Sequence, residues 1–105
     1  MDGRSSEVLT EKTGIQATMA LPPLLDITAA GPLAGEILGH RGKDLAVNAA
    51  QVQRMGAQCL QVLLSAAATW LQDGMEFEVT EASPEFTEAL ETAGLGMNHL
   101  SARNS

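Results

Sequence analysis

Residues 44–64 read DLAVNAAQVQRMGAQCLQVLL, and the change of hydrophobic period inside this stretch decides the fold. Leu45, Ala46 and Val47, continuing to Ala49, are apolar on both faces, as expected of a central strand covered by other elements. Beyond Gly56 the spacing turns helical. Leu60, Leu63, Leu64, Ala67 and Leu71 fall on one face of a helix predicted over Ala57–Gln72, with Gln58, Gln61, Ser65, Thr69 and Gln72 opposite. Asp73-Gly74 closes it.

Toward the C-terminus, Met75, Phe77 and Val79 alternate with Glu76, Glu78 and Thr80, the pattern of a strand with one wet side. Ser83-Pro84 is an N-cap followed by Pro at the first helical position. Phe86, Ala89, Leu90 and Ala93 supply a buried stripe, and Gly94-Leu95 fits a glycine C-cap. Residues 96–105 are expected to be a frayed, flexible tail.

Toward the N-terminus, Gly39–Gly42 ends a helix with Leu33, Ala34 and Ile37 on its apolar face and Thr28 as the expected N-cap. His40, Arg41 and Lys43 sit near its negative C-terminal end. Leu24, Leu25 and Ile27 follow Pro22-Pro23, so this short run is expected at a sheet edge. Ile15, Ala17 and Met19 alternate with Gln16 and Thr18 as a half-buried strand would. Residues 1–13 show no apolar period and are expected to be a flexible lead-in, which places the domain at 14–95. The order β-β-α-β-α-β-α predicts an α/β fold. Its mixed sheet should have four or five strands, largely parallel with an opening pair free to be antiparallel, and helices mainly on one side.

A chain of 105 residues has room for one core, and a 45% hydrophobic content is enough to build it. Two Phe, one Trp and no Tyr mean that Leu, Ala, Val and Met must fill most of it. Thirteen acids against six bases give a net charge of −7, which argues against nucleic acid and against an anionic membrane surface as partners. The opening residues lack the basic start and apolar run of a signal peptide. The stretch from Val62 to Leu71 is too short to span a bilayer. With a single cysteine, Cys59, there is no intrachain disulfide and no cysteine-based zinc site, and the cytoplasm is the expected compartment.

The order of elements, together with the stretch 44–64, the Asp73-Gly74 turn, EFEVT (76–80) and SPEFTEALETAGL (83–95), resembles the STAS domain, the fold of bacterial anti-sigma-factor antagonists. That resemblance implies a functional loop before the long helix, typically Asp-Ser-Ser/Thr-Gly, in which a partner kinase phosphorylates the second hydroxyl residue. The matching positions here are Gly56, Ala57, Gln58 and Cys59, and no Ser or Thr occurs between Asp44 and Leu64. A phospho-switch cannot operate at this place. Among STAS proteins without the switch, the MGAQCLQ stretch (55–61) is similar to small members encoded beside chemotaxis kinases in α-proteobacteria, the CheS-like proteins. Their likeness implies binding to the histidine kinase CheA and assistance in dephosphorylating a CheY-type regulator. The alternatives are a cytoplasmic STAS subunit of a phospholipid ABC transporter and an anti-sigma-factor antagonist that has lost its switch.

From the residues themselves, Gln58, Gln61, Ser65 and Thr69 form an uncharged stripe, with Cys59, Val62, Ala66 and Trp70 as an apolar shoulder beside it. Uncharged, partly apolar helix surfaces suit protein interfaces, where Trp is enriched. The expected contact set is therefore Gly56, Ala57, Gln58, Gln61, Val62, Ser65 and Trp70, with Arg54 at the rim. The competing reading packs Trp70 beneath the tail or the N-terminal segment. Cys59 reads as a small buried hydrophobe, since neither His40 nor His99 is placed to make it a nucleophile. Glu76, Glu78, Glu81, Glu85, Glu88 and Glu91 read first as a solvated face and second as a docking surface for a basic partner. No cofactor, metal ligand set, phosphate loop or catalytic pair is expected.

Overall fold

The computed structural model describes residues 17–102. The expected lead-in over 1–13, Ile15 and Arg103 lie outside that range. Alternation of small apolar and polar residues makes β1 (Ala17–Ala20), and the doubly apolar run makes β3 (Leu45–Asn48). Phe77–Thr80 forms the partner strand, β5. These three build one parallel sheet in the order β1-β3-β5, with the expected central strand in the centre.

The register sorts the side chains. Ala17, Leu45 and Phe77 align, as do Met19, Val47 and Val79, and these rows join the core. The opposite face carries Thr18, Ala46 and Glu78, then Ala20, Asn48 and Thr80. This face carries small and polar residues, of which Thr18 and Ala20 are exposed and Ala46 is buried.

The Pro-flanked run behaves differently from the expectation of one continuous sheet. Leu24–Leu25 (β2) leaves β1 and pairs in parallel with Arg54–Met55 (β4), so the five strands divide between two small sheets. No antiparallel opening pair forms among the described residues. Pro22-Pro23 supplies the reason: two residues without a backbone N–H interrupt the ladder and turn the chain toward a new neighbour. The Pro23 carbonyl then accepts from the N–H groups of Gln53 and Arg54.

The described residues also form three α-helices: α1 (Ala30–Leu38), α2 (Ala57–Gln72) and α3 (Pro84–Thr92). The turn before α1 is capped by Asp26 rather than Thr28. Asp26 accepts from the Thr28 backbone N–H at 3.1 Å and from its hydroxyl at 2.6 Å, which starts a 3-10 turn over Ile27–Ala29. The carboxylate is the stronger acceptor and lies two residues upstream, the spacing of an Asx turn. The same hydroxyl bond, then the backbone ones, holds the Asp26 carboxyl below its usual pKa.

One corner is pinned by side chains of the long-helix end. Arg41 forks onto Asp73 at 2.9 and 3.2 Å, tying the chain after α1 to the end of α2. Asp44 accepts from the Glu76 N–H at 3.0 Å and sets the start of β5. Gly74, at φ +72, makes the tight turn between them.

Ser83 caps α3 as its sequence position predicts, accepting from the Phe86 N–H at 3.0 Å. Its hydroxyl also donates to the Val52 carbonyl at 2.7 Å, in a buried setting. Ser83→Ala removes both bonds and is expected to cost about 2 kcal/mol, read as a lower urea midpoint with an unchanged slope. A loss under about 0.5 kcal/mol would mean that water replaces both bonds. At the other end of α3, Gly94 at φ +78 lets its own N–H reach Glu91 and the Leu95 N–H reach Leu90, a Schellman closure.

The chain after Leu95 corrects the expected frayed tail. Met97–Leu100 winds into a 3-10 turn, Leu100 and Ala102 are buried, and Ala102 exchanges both backbone hydrogen bonds with Phe77 at 2.9 Å. Leu100 fills the core beside α2 and β5, and Met97 packs half-buried against that core from the same turn. The folded unit therefore continues at least to Ala102.

Candidate functional site

The turn into α2 is held from below. Leu24 pairs with Arg54 and Leu25 with Met55, and the Gly56 N–H donates to the Leu25 carbonyl at 2.8 Å. Gly56 then occupies the N-cap with no side-chain cap, while Ala57 and Gln58 occupy the first two helical positions, exposed. Cys59, the third, points the other way. It is fully buried and its thiol donates to the Asp26 carbonyl at 3.3 Å. Burial, with the nearby Asp26 charge adding to it, pushes the thiol pKa up, so Cys59 is protected from nucleophilic chemistry rather than poised for it.

The expected contact residues separate into two groups. Arg54, Ala57, Gln58, Gln61 and Ser65 are exposed, and Gly56 and Val62 are half-buried, all on or beside the first half of α2. Trp70 is not with them. It is 0% exposed, its indole N–H donates to the Lys43 carbonyl at 2.7 Å, and its ring lies 5.7 Å from that of Phe77. Trp70 is a core residue, and the shoulder residues Cys59 and Ala66 are buried with it.

The buried stripe of α2 is thus Cys59, Leu60, Leu63, Ala66, Ala67 and Trp70, rotated from the leucine face read in the sequence. Leu64 is only half-buried and Leu71 is 60% exposed. A single-stripe reading assumes one packing partner. This helix has several: β5, the flank of α1, the 3-10 turn before α1 and the turn at Met97–Leu100. Together they demand a different arc, and Trp70 satisfies it by closing the corner above Phe77.

Two grooves flank the exposed half of α2. The first, about 360 Å³, runs between α1 and α2 and carries Gln61, Val62 and Ser65 on one wall and Ala34 and Leu38 on the other. No ionisable side chain lines it. Leu38, 53% exposed, lines this groove and was not in the contact set read from the sequence. Its signal was a leucine off the Leu33–Ile37 face at the end of a helix. The second groove, about 410 Å³, lies on the other flank, between the Gly56–Ala57 turn and α3, and contains Glu85 and Glu88.

Nothing in either groove resembles a nucleophile with its base. Among the described residues no three His, Cys, Asp or Glu side chains converge to hold a metal ion, and no helix is long and apolar enough to cross a membrane. His99 is engaged locally, with Nδ1 accepting from the Gly96 N–H at 3.0 Å. What the arrangement offers is surface: an uncharged helix edge, extended on both sides by concavities.

A family model described as "Mlab, STAS domain" matches residues 8–100. No curated protein and no solved structure matches the chain.

Proposed function

This chain belongs to the STAS domain family, a family of protein-interaction modules, and from that membership we propose that it is a non-catalytic docking module whose partner is a CheA-type histidine kinase. In this role it assists dephosphorylation of a CheY-type regulator through the kinase complex, in the cytoplasm. The observation that carries the reading is the turn at Gly56–Gln58. It leads from β4 directly into α2 and offers neither an acid nor a hydroxyl for phosphorylation. An edge that cannot acquire charge there is suited to constant rather than switched association. The contact surface is Gly56, Ala57, Gln58, Gln61, Val62 and Ser65, with Arg54 at the rim and Leu38 opposite across the groove.

Gln58→Asp tests this directly. A carboxylate at the second helical position is favoured by the helix dipole, so the melting temperature should not fall. Buried against a partner, the same charge should weaken binding about tenfold or more. The measurement is co-purification of endogenous proteins with wild type and variant, with the recovered kinase then titrated against each. Unchanged affinity for the variant removes this edge from the interface. Recovery of a membrane ATPase would instead make the chain the cytoplasmic STAS subunit of a phospholipid ABC transporter. Recovery of a serine kinase would make it an antagonist without a switch.

A further inference from the structure

Glutamates at 76, 78, 81, 85, 88 and 91 are joined by no Lys or Arg between Met75 and Ala102, and two of them stand over a concavity. Glu85 and Glu88 lie three residues apart, on one face of α3, along the wall of the second groove. Opposite them is the lip formed by Gly56 and Ala57. Between the two walls lie the apolar side chains of Met55, Leu60 and Ala89, with Gln53 and Thr92 also on the lining. No Lys, Arg or His lines it. An apolar floor with one acidic wall is a composite surface that selects for charge of one sign.

We infer that this groove docks a basic amphipathic segment of the partner protein. Its Lys or Arg side chains reach Glu85 and Glu88 while a small apolar side chain enters over Leu60 and Ala89. Charge complementarity determines the occupant: a chain of net charge −7 repels acidic peptides and nucleic acid alike, and the groove adds its own acids to that field. The inference rests on the proposal that the partner is a protein held at the α2 turn. Gly56 and Ala57 belong to both surfaces, so the basic segment continues the interface around that turn onto α3.

The test uses the full chain, labelled with ¹⁵N, and a synthetic amphipathic peptide of Lys, Ala and Leu, about 18 residues or five helical turns long. Titration should move the amide signals of Met55, Ala57, Leu60 and Ala89 together. E85Q/E88Q should weaken the peptide about fivefold to tenfold, whereas E36Q/E91Q, which removes the same charge elsewhere, should change affinity less than about twofold. Thermal melts of both doubles confirm folding. Equal losses in the two doubles, signals spread over all the glutamates, or no binding at millimolar peptide would each overturn the inference. A peptide that misses the groove while Gln58→Asp still weakens kinase binding would sink this inference alone. A peptide that seats there while Gln58→Asp leaves the kinase bound would sink the docking edge instead.

Discussion

Trp70→Ala is expected to lower stability by about 3–5 kcal/mol, whereas Leu71→Ala, one residue further along the same helix, should change it by less than about 0.5 kcal/mol. The contrast is opposite to what residue spacing alone predicts, because Leu71 extends the leucine stripe and Trp70 lies outside it. The indole is wholly buried, tilted against Phe77, and hydrogen-bonded to Lys43 just before β3. Truncation opens a cavity at the junction of α2, β3 and β5 and leaves the Lys43 carbonyl without its donor. Since small domains are held by roughly 5–15 kcal/mol, Trp70→Ala should unfold at a far lower urea concentration or fail to accumulate. Trp70→Phe keeps most of the volume and loses the hydrogen bond, so it should fall between the two. If both alanine variants melted alike, the rotation of the α2 face described above would be wrong.

The second large effect is expected at Leu100. Leu100→Ala should cost about 2–4 kcal/mol, although the residue lies only five positions beyond Leu95, where local pattern places the end of the domain. Leu100 is fully buried, and the segment carrying it returns to pair Ala102 with Phe77. Ending the chain after Leu95 should be at least as damaging, because it removes the same side chain and exposes the β5 backbone. Equilibrium denaturation of both forms checks this. A truncated chain as stable as the full one would return the segment to the status of an appendage. His99→Ala serves as the control: the ring is exposed and its bond to Gly96 is local, so the loss should stay below about 1 kcal/mol.

Acid should weaken the fold at the Arg41–Asp73 pair, as it should at the Asp26 turn. The Arg41 guanidinium, through its hydrogen bonds and then its charge, holds the Asp73 carboxyl below its usual value of 3.8. A carboxylate with a depressed pKa contributes its stability above the unfolded value, and that contribution disappears as pH falls through the lower, folded value. The pair is exposed, so its share is modest and salt-sensitive.

Local signals with a strong chemical cause were legible in the sequence. The Ala57–Gln72 helix, the Ser83 cap with Pro84 behind it, the Gly94 closure and the central position of Leu45–Asn48 each follow from residues that admit few alternatives. What escaped was decided by distant partners. Whether Leu24–Leu25 joins β1's sheet or finds Arg54–Met55 depends on contacts about thirty residues away, and a two-residue strand carries no period to announce it. Leu100 escaped because the elements it packs against, α2 and β5, lie outside its own stretch. The solvent-facing edge of α2 was legible in its first half, Ala57 to Ser65, where helical spacing from the cap is short. It failed at Trp70, where a slightly different arc exchanges shoulder for core. Thr28 was displaced as a cap by Asp26, two residues upstream with a better acceptor.

Gly56 has an extended backbone, φ −90 and ψ 172, and a methyl group built there would meet nothing nearer than the Leu25 carbonyl oxygen at 3.6 Å, an ordinary contact. The glycine is thus not required by the main chain, and Gln58 beside it is open to solvent. The character of this turn therefore lies in its side chains rather than in a constrained backbone. Neither position obstructs a different side chain at its Cβ, so Gly56→Ala and Gln58→Thr should leave the melting temperature close to that of the wild type: the chemistry of this turn can be rewritten without touching its backbone.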